Sequence, residues 1–288
     1  MNLRQLEQFT ALAQTLHFGR AASKANVSIS ALSRTIAQLE QAAGTDLFER
    51  NNRSVTLTSA GKHFQQFSHE TLQNWRDLQA KLHGQALLGE INVYCSVTAS
   101  YSILDKILSR FRQSHPRVDI NLHTGNAEHA IERVQSGEDD ITIAAKPDTL
   151  PKGLAFKSLK ISPLLFIAPK QSIIELPSSV EDWEQTPMIV AESGLSRIRL
   201  DKWFARQNIK PRYYAQVSGN EAIVSMVGLG LGIGVVPDLV LNHSPMIGQT
   251  TVLESLCDAL EPYDVGLVTR ENRLQNSLIS AFWQSVDG

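Results

Sequence analysis

Cysteine is scarce in this chain of 288 residues: Cys95 and Cys257 stand far apart and outside any CxxC spacing. That excludes a disulfide framework and a thiolate zinc site, and it suits a reducing compartment. Cys95 closes the apolar run INVYC, where a thiol fills a core rather than reacts. Eight histidines are scattered without an HExxH or paired-ligand spacing, so no metal ligand is nominated. No run reaches the roughly 18 apolar residues of a membrane span, and MNLRQLEQF lacks the apolar core of an export signal. The expectation is a cytoplasmic protein with no membrane partner. Catalytic grammar is missing as well. There is no GxSxG, no Walker A and no Ser/His/Asp arrangement, so no catalytic residue is nominated. The GLGLGIG run does not follow a strand and open a helix, as a dinucleotide site requires. It reads as a helix end turning into a strand.

Charge is low and unevenly divided. Residues 1–88 hold nine Lys/Arg against six Asp/Glu, a net of +3, and the remainder is −5, giving −2 in all. A modest basic excess at one end permits a nucleic-acid partner but does not identify one. With 42% hydrophobic and 19% charged residues, the chain can bury cores for two or three domains.

Phe18–Leu39, FGRAASKANVSISALSRTIAQL, predicts two short helices separated by a tight turn. Ala21, Ala22 and Ala25 let the helices approach closely. Leu32, Ile36 and Leu39 make one buried stripe on the second helix, and Ser30, Ser33, Arg34 and Gln38 make its opposite face. This is the sequence form of a helix-turn-helix whose second helix enters a DNA major groove; a hairpin in an all-α core is the alternative. Asn2 and Gln5 form a capping box for an earlier helix with Leu3, Leu6, Phe9, Leu12 and Leu16 on one face. After Gly44, LFERNNRSVTLT turns at Asn51-Asn52 and alternates through Val55 and Leu57, predicting a short ribbon. Arg50 and Arg53 flank its tip, where phosphate contact or plain solvation are both open. Thr58 caps a long helix to about Leu88 with an apolar seam of Ala60, Phe64, Phe67, Thr71, Trp75, Leu78 and Leu82. No second element in the sequence covers that seam, which points to the same helix of another subunit; packing on the chain's own C-terminal domain is the alternative.

From Glu90 short strands and helices alternate, predicting a mostly parallel sheet with covered faces. A crossing near Ile161 and a return near Gly266 predict two lobes, about 90–161 with 266–288 and about 162–265. Ligands of such folds sit where strands hand over to helices. Ser96, Thr98 and Ser100 crowd hydroxyls at one such N-terminus, a seat for a small carboxylate, with plain helix capping as the alternative. Thr124, Arg197 and Glu221 lie at others. For Arg197 an i,i+4 pair with Asp201 is the alternative, and for Glu221 mere support of a helix start. A solute-binding protein and a small-molecule α/β enzyme are rival readings; the helical N-terminal part and the missing catalytic constellation weigh against them.

The segments LRQLEQF, HFGRAASKANVSISALSRTIAQLE, GTDLFER, VTLTSAGKHF and GLGIGVVP resemble the LysR-type transcriptional regulators along the whole chain. The resemblance implies an N-terminal winged helix-turn-helix (1–58), a linker and dimerisation helix (59–89) and a two-lobed effector domain similar to periplasmic binding proteins (90–288). It implies double-stranded operator DNA as partner, self-association to dimers and tetramers that bend DNA, RNA polymerase as a further partner, and a small-molecule inducer in place of any cofactor. By position it assigns Ser30, Ser33, Arg34 and Gln38 to bases or phosphates, Arg50 and Arg53 to the wing, and Ser96, Thr98, Ser100, Thr124, Arg197 and Glu221 to the effector. Ile29 departs from the Gln or Pro that many members carry there, which removes a base-edge hydrogen bond.

Overall fold

A computed structural model describes residues 1–50, 54–82, 87–171, 177, 179–256 and 259–286, the side chains of residues 77, 80, 81, 180 and 181 excepted. The chain divides into two compact units, Met1–Gly89 and Glu90–Gly288.

In the first unit, α1 (Leu3–Thr15) opens on the capping box: Gln5 N donates to Asn2 Oδ1 and Asn2 N to Gln5 Oε1, both at 3.0 Å. Leu6, Phe9 and Leu12 are buried, but Leu16 takes a left-handed conformation, φ 49°, that ends the helix and turns its side chain outward. After α2 (Phe18–Lys24), Ser28 caps α3 (Ile29–Ala43) by accepting from Ala31 N at 3.2 Å. Leu32, Ile36 and Leu39 are fully buried beneath α3. Gly44, φ +72°, ends that helix in the left-handed region that favours glycine. β1 (Phe48–Arg50) and β2 (Val55–Leu57) pair antiparallel. Thr58 Oγ1 then accepts from Gly61 N at 2.8 Å at the start of α4 (Ser59–Leu82). A Cβ on Gly61 would meet the Leu47 carbonyl oxygen at 1.9 Å, so only glycine allows this approach. Phe64 does find a partner within the chain, packing edge-on against Phe9 at 4.7 Å, and Ala60 joins the same core. Phe67, Trp75, Leu78 and Leu82 stay exposed.

The second unit carries β3 (Gly89–Cys95), a short α5 (Val97–Ala99) continued through a wider turn into α6 (Asp105–Ser114), β4 (Val118–Thr124), α7 (Ala130–Ser136), β5 (Ile141–Ala145) and β6 (Leu154–Ser162). There follow β7 (Leu164–Pro169), α8 (Val180–Gln185), β8 (Pro187–Ala191), α9 (Gly194–Arg206), β9 (Arg212–Val217), α10 (Asn220–Gly228), β10 (Ile233–Pro237), α11 (Asp238–Leu241), β11 (Thr250–Val252), β12 (Tyr263–Arg270) and α12 (Ser277–Gln284). They form two five-stranded sheets, ordered β4-β3-β5-β12-β6 and β11-β7-β10-β8-β9. The sheets are mixed, not mostly parallel. β3–β5, β8–β9 and β8–β10 run parallel, while β12 runs antiparallel to β5 and β6, and β7 antiparallel to β10 and β11. The strands at the two crossings reverse direction. The chain leaves the first sheet at Pro163 and returns at Tyr263, ahead of the expected Gly266, because Tyr263 and Asp264 already pair with Ser162 and Ile161. An Arg273–Asp140 ion pair at 2.5 Å lies buried in the first lobe, and Asn92 N donates to the same carboxylate at 3.0 Å. No helix among the described residues is long and apolar enough to cross a membrane.

Candidate functional site

Two surfaces carry the candidate residues. The first is the outward face of α3. Burial of Leu32, Ile36 and Leu39 forces Ser30, Arg34 and Gln38 outward, with Ile29 56% exposed at the start. Arg34 is exposed and makes no hydrogen bond or ion pair to the described residues. Ser30 Oγ lies 3.0 Å from Ser28 Oγ, so it shares the cap. Ser33 is half-buried. Gln38 Oε1 accepts from Gln5 Nε2 at 3.1 Å, which ties α3 to α1 and leaves the amide N–H groups outward.

Arg50, at the end of β1, is paired within its own unit. Its guanidinium donates to Glu40 Oε2 at 2.6 Å and lies over the Phe18 ring at 5.3 Å. Glu40 Oε1 also accepts from Leu47 N and Phe48 N, at 3.1 and 3.2 Å. One carboxylate thus fastens β1 to α3, and Arg50 neutralises it. Arg53 and the ribbon tip, 51–53, lie outside the described residues, as do Cys257 and positions 83–86 at the end of the linker.

The second surface is the cleft between the two lobes of the α/β unit. Among the described residues, several side-chain pairs cross it. Thr98 Oγ1 donates to Glu221 Oε1 at 2.5 Å, Asn126 Nδ2 donates to Ser218 Oγ at 2.7 Å, and Ser193 Oγ donates to the Glu128 carboxylate. Of the first hydroxyl cluster only Thr98 reaches the other lobe. Ser96 Oγ accepts from Ala99 N at 3.2 Å and Ser100 Oγ donates to Val97 O at 2.6 Å, so both serve their own helix turn. Thr124 ends β4 exposed, with no side-chain hydrogen bond among the described residues. Tyr94 Oη donates to Asn126 O at 2.9 Å and steadies the next turn.

Arg197 takes the role of its alternative. Its Nε donates to Asp201 at 2.8 Å, and Nη1 donates to Ala191 O at 3.1 Å and Gln216 Oε1 at 2.9 Å, with the charge over the Tyr213 ring at 4.4 Å. Those contacts hold the guanidinium within its own lobe. Glu221 lies in the first turn of α10 and does more than support the helix start, since it accepts across the cleft. Glu128 and Ser193 were missed by sequence reasoning. Ser193-Gly194 carries an N-cap signal, but the Ser193 hydroxyl gives α9 no cap and turns to Glu128, 65 residues away. Burial pushes the Cys95 thiol up to about 12, so the cysteine beside the hydroxyl cluster is a protonated core residue.

A winged helix-turn-helix followed by a long helix and a two-lobed α/β unit is the architecture of a DNA-binding regulator. The chain belongs to the LysR family. The model described as bacterial regulatory helix-turn-helix protein, lysR family, matches residues 3–62, and the LysR substrate binding domain matches residues 84–287. Among curated proteins it is 43% identical to the HTH-type transcriptional activator IlvY of Salmonella typhimurium, covering 99% of each chain. It is 39% identical to the IlvY activator of Haemophilus influenzae, covering all of both. Among solved structures, a full-length OxyR variant from Pseudomonas aeruginosa matches with TM-score 0.71 and 21% identity over 99% of this chain and 94% of that one. CbnR, a LysR family transcriptional regulator, matches with TM-score 0.62 and 19% identity over 100% and 98%. The protein is a transcriptional regulator.

Proposed function

We propose that this regulator activates genes of isoleucine and valine synthesis in response to acetolactate and acetohydroxybutyrate, the 2-hydroxy-2-acyl carboxylates made early in that route. The full-length similarity to activators named IlvY carries the reading. The cleft supports it chemically. Thr98, Asn126, Ser193 and Ser218 present neutral hydroxyl and amide groups between the lobes, suited to a small acid bearing hydroxyl and keto oxygens.

In this reading Ser30, Ser33, Arg34 and Gln38 contact operator bases and phosphates, and Phe67, Trp75, Leu78 and Leu82 join two copies along the linker helix. Dimers pair into a tetramer that bends the operator in the cytoplasm, and effector binding shifts the arrangement so that RNA polymerase is engaged. The test is footprinting of the full chain on its own upstream region, with in-vitro transcription, with and without acetolactate. The expected result is operator protection in both states and acetolactate-dependent transcription. Operator protection with no response to acetolactate, but a response to another small acid, overturns the effector and the pathway together.

A further inference from the structure

Glu221 is an unusual residue to find closing a cleft meant for an acid. Its carboxylate carries no Lys or Arg partner among the described residues, and the only proton it is offered comes from Thr98, which is 1% exposed. Beside it in α10, the Asn220 amide oxygen is shielded from solvent and accepts no hydrogen bond. Gly219, φ +87°, leaves space between the lobes at this point. A Cβ there would stand 3.5 Å from Glu221 Oε2 and 3.9 Å from Asn126 Oδ1. At this point of the cleft the second lobe therefore offers a charged acceptor and the first lobe a hydroxyl donor. Arg197, the cation nearest in sequence logic, is held by Asp201.

An acid entering here meets a like charge unless a proton lies between the two carboxylates. We propose that Glu221 reads the effector's hydroxyl, and so selects 2-hydroxy carboxylates over acids of the same shape that lack it. This rests on the cleft being the effector site. The 2-hydroxy acid inserts into the existing pair: its carboxylate accepts the Thr98 hydrogen, and its own hydroxyl replaces Thr98 as donor to Glu221. No hydrogen bond is lost in that exchange. An isostere with methyl in place of hydroxyl strips Glu221 of its donor and leaves two carboxylates facing one another, an arrangement that rejects ligands strongly.

The experiment is calorimetric titration of the full chain with acetolactate, 2-hydroxyisobutyrate and pivalate, the last two differing only by hydroxyl for methyl. Wild type is expected to prefer 2-hydroxyisobutyrate over pivalate by about tenfold or more. In Glu221→Gln the preference is expected to shrink below about threefold, chiefly because pivalate binds more tightly once the like charge is gone. A gain in pivalate affinity is a readout that loss of structure does not produce. Equal affinities in wild type, or a full preference retained in Glu221→Gln, overturn the inference while acetolactate binding leaves the effector reading standing. Absence of binding by all three acids overturns both.

Discussion

The outward face of α3 and the cleft of the α/β unit hold polar side chains in opposite conditions. On α3, Arg34 has no hydrogen-bond or ion-pair partner among the described residues and Ile29 faces solvent. They are positioned from beneath, by Leu32, Ile36 and Leu39 in the core. In the cleft the polar groups position one another, Thr98 with Glu221, Asn126 with Ser218 and Ser193 with Glu128. A preformed face binds its partner without rearranging. A self-satisfied cleft admits a ligand only by trading partners, and that differential contact is what lets a ligand shift a conformational equilibrium.

The contrast is broken most forcefully from below. Ile36→Ala removes a fully buried side chain and is expected to cost the first unit about 2–5 kcal/mol, with operator affinity falling in parallel. Denaturant unfolding of the full chain measures it, and an unchanged first transition contradicts the packing argument. Glu40→Ala strands two backbone N–H groups and Arg50 together, so about 1–3 kcal/mol of stability is expected to go. Arg34→Ala acts on the opposite face of the same helix. It is expected to leave stability alone and weaken operator binding by about 1–3 kcal/mol in a salt-controlled titration. Thr98→Val conserves shape and leaves Glu221 without its donor. Operator binding is expected to survive while the transcriptional response to acetolactate disappears; a wild-type dose response places the effector elsewhere.

Much of this was legible where the determinants are local. The Asn2–Gln5 box, the Leu32, Ile36, Leu39 stripe and the Thr58 cap each depend on residues a few positions apart, and helical periodicity encodes them directly. The Arg50–Glu40 pair was not legible because the carboxylate stands ten residues back on another element. The mixed sheets were misread because alternation of strand and helix says nothing of direction at a crossing, where β6 and β12 return antiparallel. Least legible was the cleft. Thr98 and Glu221 are 123 residues apart, and nothing in either local sequence announces the other. Arg197 shows the reverse case: its Asp201 partner was one helical turn away, and that short-range pairing prevailed.

The smallest expected effect concerns the rim, where the two lobes also meet through charge. Lys202 on α9 donates to Asp148 at 2.7 Å, from the second lobe to the first. The Lys202 hydrogen bond and charge hold the Asp148 carboxyl below its ordinary 3.8. A lowered carboxylate pKa favours the closed pair above the ordinary carboxylate range and loses that contribution as pH falls through the lowered value. The pair is solvated, so its effect is slight and screened by salt. Asp148→Asn is therefore expected to change the acetolactate affinity less than any substitution inside the cleft, and only at low ionic strength. Unlike the Thr98–Glu221 pair, the rim can be dismantled by salt alone; a Thr98→Val phenotype reproduced by added salt would show that charge at the rim, not hydroxyl exchange within, controls closure.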